Sequence, residues 1–203
     1  MLKKPIVLEK EKLLLVEGTH EEKFFQRVFK KENINNVQIL NIVGKTRFRE
    51  QLEILPKMDG FFNIKSIGLV RDADENFEGA FTSLVNALKN AGISHPQKAM
   101  EFTDSNPRVG IFITPDNQNS GSLEDLCLNS VQSDPVLSCA NDYLECLKKI
   151  KNAEHPHKAK ALVQVYLAKE DDGDIHMGSA SERGVWDLEN SSFLPIINFV
   201  KML

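Results

Sequence analysis

Cysteine is scarce, and what there is does not pair by spacing. Cys127, Cys139 and Cys146 are the three cysteines, and no two stand as C-x-x-C. This odd set argues against a disulfide framework or a zinc ribbon and fits reduced thiols on helices. The histidines of "HPH" (155–157) have no Cys or acid at ligand spacing, so they make no zinc site. The two tyrosines, Tyr143 and Tyr166, fall inside helical patterns, where packing is their expected role. Long apolar runs are missing too. No stretch approaches the ~20 apolar residues of a membrane span. The apolar start of "MLKKPIVLEKEK" stops at Glu9, too soon for a signal peptide. The expectation is a cytoplasmic chain with no membrane partner. Nor is there a basic excess. The net charge is −4, which is not the footprint of a protein that holds nucleic acid by charge alone. A carboxylate-rich site lowers net charge, however, and a bound metal then supplies the positive charge. No repeat, low-complexity tract or Pro/Gly/Ser linker is visible. The 203 residues suit one domain or one domain with a small extension.

Four short apolar runs rich in Val, Ile and Leu read as strands buried on both faces: "KLLLVE" (12–17), "VQILNIVG" (37–44), "SIGLVRD" (66–72) and "VGIFITPD" (109–116). Helical patterns lie between them. "THEEKFFQRVFKKE" carries Phe24, Phe25, Val28 and Phe29 on one stripe. "KTRFREQLEILPKM" carries Phe48, Leu52 and Leu55. "FEGAFTSLVNALKNAG" carries Phe81, Leu84, Val85 and Leu88, with Gly92 as a stop. Strands alternating with helices predict an α/β fold: a parallel four-stranded sheet flanked by helices. From Ser122 onward the pattern is mostly helical, with "EDDGDIHMGSASERGVWDLEN" as a loop. The expected organisation is an α/β core over residues 1–120 and a helical C-terminal extension, 121–203, packed on it.

In open parallel sheets, ligands bind beyond the carboxyl ends of the strands. Strand one ends at Glu17-Gly18, strand three at Asp72-Ala-Asp74, and strand four at Asp116. Several carboxylates on one sheet edge repel each other unless a cation sits between them. Hard oxygen ligands suit Mg²⁺ or Mn²⁺. Thr19 and Glu22 have the spacing of a capping box, as do Ser122 and Asp125. Glu17 lies outside the first box and Glu124 is left over from the second. Glu21 stands in the first helical turn, where an acid also suits the helix dipole. Lys45, Arg47 and Arg49 follow strand two at the same edge. Lys45 is a candidate phosphate contact, and Arg71, beside the D-x-D, is a candidate phosphate or carboxylate partner.

An apolar strand ending in "VEG", an acid four residues after that Glu, and a later strand ending in D-x-D resemble the Toprim domain. That domain is the metal-binding catalytic unit of topoisomerases, bacterial primases, small ribosomal-RNA maturases and OLD-type nucleases. The resemblance covers residues 10 to 120 and implies a Toprim-like, Rossmann-like fold. It implies that Glu17 is a general acid/base or metal ligand and that Asp72 and Asp74 bind metal. Glu21 stands where many members have Asp. "GSLED" is similar to the extra acidic element of the OLD-type group and points to Glu124 as a further ligand. The ending from "KAKALVQVYLA" to "NFVKML" resembles that of a small Toprim-related bacterial and archaeal family. There Lys160 resembles the lysine that OLD-type enzymes bring to the active site.

The resemblance implies phosphoryl transfer on nucleic acid. A topoisomerase needs a nucleophilic Tyr on a separate domain, and a primase needs a zinc-bearing partner domain. What remains is hydrolysis by water, so the reading is a metal-dependent nuclease acting on DNA or RNA. The alternatives are a Toprim shell that binds metal or nucleotide without turnover, and a small-molecule phosphohydrolase. D-x-D also occurs in haloacid-dehalogenase-type phosphatases, but that pattern wants Thr or Val where this chain has Asn76. A homodimer or a partner protein could supply more of the substrate-binding surface.

Overall fold

The computed structural model describes residues 7–42, 44, 47–173 and 175–203. Strands β1 (Lys12–Val16), β2 (Val37–Asn41), β3 (Ser66–Asp72) and β4 (Arg108–Thr114) form one sheet in the order β2-β1-β3-β4. Every pairing is parallel. The predicted α/β class is the observed one. The crossovers run through α1 (Thr19–Lys31), α2 (Phe48–Ile54) and α3 (Phe77–Asn90).

The strands alternate, so each feeds two cores. Leu14, Val16, Val70 and Phe112 face one side, where α1 lays down Phe24, Phe25, Val28 and Phe29. Leu13, Leu15, Ile67, Leu69 and Ile111 face the other, against Leu52 of α2 and Leu84 and Leu88 of α3. On α3 the buried set includes Ala80 and Ala87, whereas Phe81 and Val85 are only partly covered. Gly92, at φ +68, ends that helix region as its sequence position suggests.

Residues beyond Ser122 form α4 (Leu123–Ser130), α5 (Pro135–Lys151), α6 (Lys158–Leu167), α7 (Met177–Arg183) and α8 (Leu194–Lys201). Their buried side chains join the α1 face in one continuous core. The ring of Phe199 meets Phe102 and Phe112 at 5.3 and 5.6 Å. Leu203 is buried, and a Cβ on Gly68 of β3 would come within 3.0 Å of it. The tail thus covers apolar sheet surface that would otherwise face water.

Three expectations need correction. The 170–190 stretch is not all loop, because α7 forms within it. Its glycine and serines are weak helix formers, but Met177 and Ala180 are buried in the core beside α1, and Glu182 pairs with Lys23 at 2.8 Å. Packing therefore outweighs propensity here. Thr19 is not a cap: the N-cap is Gly18, and Glu22 accepts a hydrogen bond from Asn41 Nδ2 at 2.9 Å. The second box, Ser122 with Asp125, does form. Tyr166 packs as expected, stacked on Trp186 at 5.8 Å with its hydroxyl donating to Asp134. Tyr143 does not pack; it is 51% exposed.

Gly110 of β4 matters because the Phe102 ring sits against its backbone. A Cβ there would meet ring atoms at 2.5 Å. Gly110→Ala should destabilise the protein by about 1–3 kcal/mol, the usual range for overpacking. Urea denaturation checks it; an unchanged midpoint would mean the Phe102 ring moves freely.

Candidate functional site

The strand order reverses between β1 and β3, because β1 leads outward to β2 and β3 leads the other way to β4. That is the switch point where open α/β sheets bind ligands. Leu15 pairs with Leu69, and continuing that register by two residues sets Glu17 beside Arg71. Arg71 Nε lies 3.7 Å from Glu17 Oε1, and both side chains are largely buried. Neither of those atoms has a hydrogen-bond partner among the described residues. Of the two roles expected for Arg71, the geometry supplies the carboxylate one.

Asp72 closes β3 directly opposite Thr114 of β4. Its Oδ1 accepts from Thr114 Oγ1 at 2.5 Å and from the backbone N–H of Leu123, the first residue of α4, at 3.0 Å. Asp74 is exposed and left-handed at φ 51. Its backbone exchanges two hydrogen bonds with Gly121, at 2.9 and 2.7 Å, which tie the D-x-D loop to the start of α4. Glu21 sits in the first turn of α1. Glu124 sits in the first turn of α4, only 5% exposed, and its carboxylate makes no hydrogen bond or ion pair among the described residues.

The electrostatics tie these acids together. Burial pushes Glu17 up to about 7; Arg71 pulls it back, while Glu21 and Asp74 push it further. Glu21 is raised by burial and then by Glu124, with His20 and Lys160 opposing. Asp72 is raised well above the usual carboxylate range, by burial first, with the Thr114 hydrogen bond opposing and Glu21, Glu17 and Glu124 adding to the rise. The protein holds three acids in a place where their charged forms are disfavoured.

Asp72 and Asp74 line a cleft of about 680 Å³ whose other wall includes Lys158 and Lys160 at the start of α6. Lys160 is exposed and close enough in charge terms to lower Glu21. Lys45 lies outside the described residues. Asp116 is not a site acid: its carboxylate accepts from the N–H groups of Gln118 and Asn119 and from Asn119 Nδ2, stabilising its own turn. Arg49 is paired with Glu53 along α2 at 2.9 Å. Thr114 and the Leu123 N–H escaped the sequence reading. The former was detectable in principle, since aligning "LVRD" with "IFIT" places Thr114 across from Asp72.

A divalent cation is the group that the resemblance to the Toprim domain implies. Among the described residues no three His, Cys, Asp or Glu side chains are already gathered as a cage. The donors fit in chemistry, however. They are hard carboxylate oxygens, Glu17 Oε1 is buried without a hydrogen-bond partner among the described residues, and their mutual repulsion calls for positive charge.

A model of the family described as "Protein of unknown function (DUF3226)" matches residues 11–203. The chain belongs to DUF3226. No curated protein matches this DUF3226 chain. Among solved structures it is similar to the hypothetical protein PH0156 from Pyrococcus horikoshii OT3, with a TM-score of 0.55, 15% identity and 95% of each chain covered. It is also similar to the C-terminal region of the Burkholderia pseudomallei OLD protein, with a TM-score of 0.52, 11% identity, and 96% of this chain and 98% of that chain covered. At such identities these likenesses establish a shared fold.

Proposed function

We propose that this DUF3226 protein is a Mg²⁺- or Mn²⁺-dependent hydrolase of phosphodiester bonds in nucleic acid. The observation that carries this reading is the convergence of Glu17, Glu21, Asp72 and Glu124 at the switch point, with raised proton affinity in the first three. The Toprim-like motifs and the fold shared with an OLD C-terminal region support it. Asp72, Asp74, Glu124 and Glu17 would hold the metal, which as a Lewis acid polarises a phosphoryl oxygen and acidifies water.

The remaining work falls to the chain's own groups. Glu17, poised near 7, can take or return a proton at its carboxylate close to neutral pH. Arg71 holds that carboxylate in place. Glu21 is the second candidate for proton handling. Lys160, on the cleft wall, can stabilise charge developing on the phosphoryl oxygens. Thr114 and the Leu123 N–H hold one oxygen of Asp72, which would leave its second oxygen for the metal. The direct test is cleavage of single- and double-stranded DNA and RNA with Mg²⁺, by wild type and Asp72→Asn.

A smaller substrate is the second reading, because the cleft volume is within the range of small-ligand pockets. Salt separates the two. Cleavage of a polymer bound through several phosphates falls steeply with salt, whereas turnover of a small ester does not. Thr114→Val tests the support of Asp72. It keeps the volume but removes the donor, so metal affinity should fall by roughly 10- to 100-fold, as for other outer partners of metal ligands. Calorimetric Mn²⁺ titration reads this, and equal affinity would remove Thr114 from the site.

A further inference from the structure

Helix α5 is more apolar than its packing requires. Leu137, Ala140 and Leu144 are buried against the body of the protein. A second stripe, Cys139, Tyr143, Cys146 and Ile150, follows the alternating four- and three-residue spacing of a helix–helix seam. It faces solvent: Tyr143 is 51% and Ile150 75% exposed, and both cysteines are exposed. Val136 and Leu147, only partly covered, join the two stripes on one side. On the other side the stripe is flanked by Asp142 and Lys149, one turn pair apart and of opposite sign.

We propose that this face is a dimer interface, on which a second copy of the chain lays its own α5 antiparallel. The charge pattern selects both the partner and the direction. If the helices run antiparallel, Tyr143 meets Cys146 of the second copy and Cys139 meets Ile150. The same register sets Asp142 of each copy two residues, about 3 Å along the axis, from Lys149 of the other, within reach of these side chains and giving two symmetric ion pairs. In a parallel pair Asp142 and Lys149 of each copy would lie against the opposite flank of the other, where Val136 and Leu147 stand, and neither charge would find a partner. A two-fold axis through the middle of the stripe satisfies every position twice, as an isologous interface requires.

The test is the mass of the full chain by light scattering at about 100 μM, far above a micromolar Kd. We expect twice the chain's 22.9 kDa. Tyr143→Lys/Ile150→Lys should return the mass to that of one chain with an unchanged circular dichroism spectrum, since both side chains are largely exposed. Asp142→Lys should weaken the dimer, and Asp142→Lys/Lys149→Asp should restore it. Crosslinking by a short bis-maleimide reads the direction. In the antiparallel register the two Cys146 residues are roughly three residues out of step, about 4.5 Å along the axis, and the two Cys139 residues roughly eleven, about 16 Å. Links should therefore form through Cys146, persist in Cys139→Ser and vanish in Cys146→Ser. A monomeric wild type, a dimer that survives Tyr143→Lys/Ile150→Lys, or links that persist in Cys146→Ser would overturn the proposal.

Discussion

Asp72→Asn is expected to fold normally, bind Mg²⁺ or Mn²⁺ poorly, and cleave nucleic acid more than about 100-fold more slowly than wild type, beyond the loss typical of an outer partner. The reasoning starts from the two hydrogen bonds at Oδ1, from Thr114 Oγ1 and from the Leu123 N–H. The amide oxygen of Asn can accept both, so the β3–β4–α4 junction keeps its shape. What changes is the other oxygen, which becomes an NH₂ group that donates and cannot ligate a cation. The variant also loses an acid whose ionisation burial and Glu21, Glu17 and Glu124 all oppose. Without metal, Asp72→Asn should therefore be at least as stable as wild type near neutral pH. Chelated samples in a thermal melt, with metal titration and cleavage run on the same preparations, check all parts. Full cleavage by a well-folded Asp72→Asn would remove the D-x-D from the chemistry. Loss of cleavage together with a collapsed Tm would show Asp72 to be a structural acid.

The second large effect is a pH dependence opposite in sign to that of most carboxylates. Glu17 titrates at about 7 in the folded protein and near 4.5 when unfolded. Between those values the folded chain binds more protons than the unfolded chain, so stability falls as pH rises. The Glu17 contribution is fully present below pH 4.5 and lost as pH passes 7, a change of roughly 3 kcal/mol for a side chain this well buried. Glu21 and Asp72 are shifted in the same direction. Asp134, held down at about 2 mainly by its hydrogen bond from Lys169, loses its contribution at lower pH. Urea denaturation in chelator should thus give lower stability at pH 8 than at pH 5. Mg²⁺ should reverse much of the loss at pH 8, because a ligand bound by the folded state alone stabilises it. Glu17→Gln should flatten the slope. Stability that stayed level or rose from pH 5 to 8 in chelator would mean that these acids are better solvated than their placement implies.

The strands and first three helices were legible in the amino-acid sequence because each is a local pattern. Short β-branched runs alternate with stripes at helical spacing, and both periods survive without knowledge of neighbours. Glu17, Asp72 and Asp74 were legible as candidates for the same reason: strand ends in a parallel sheet share one edge, so position along the chain already implies position in space. Other features depended on contacts between distant segments. Asp116 has the same standing in the sequence as Asp72, yet its own turn occupies it. Gly178, Ser179 and Ser181 of α7 are poor helix formers, and the segment is helical with Met177 and Ala180 buried beside α1.

The sequence by itself therefore determined the α/β class, the strand boundaries to within a few residues and the edge at which the acids gather. Tertiary structure alone decided which acids meet, that Arg71 is placed against Glu17, that Thr114 steadies Asp72, and that α6 brings Lys160 to the cleft. The reason is physical. Periodicity records whether a residue faces inward or outward, while hydrogen bonds, desolvation and charge coupling depend on which groups lie within a few ångströms across the fold.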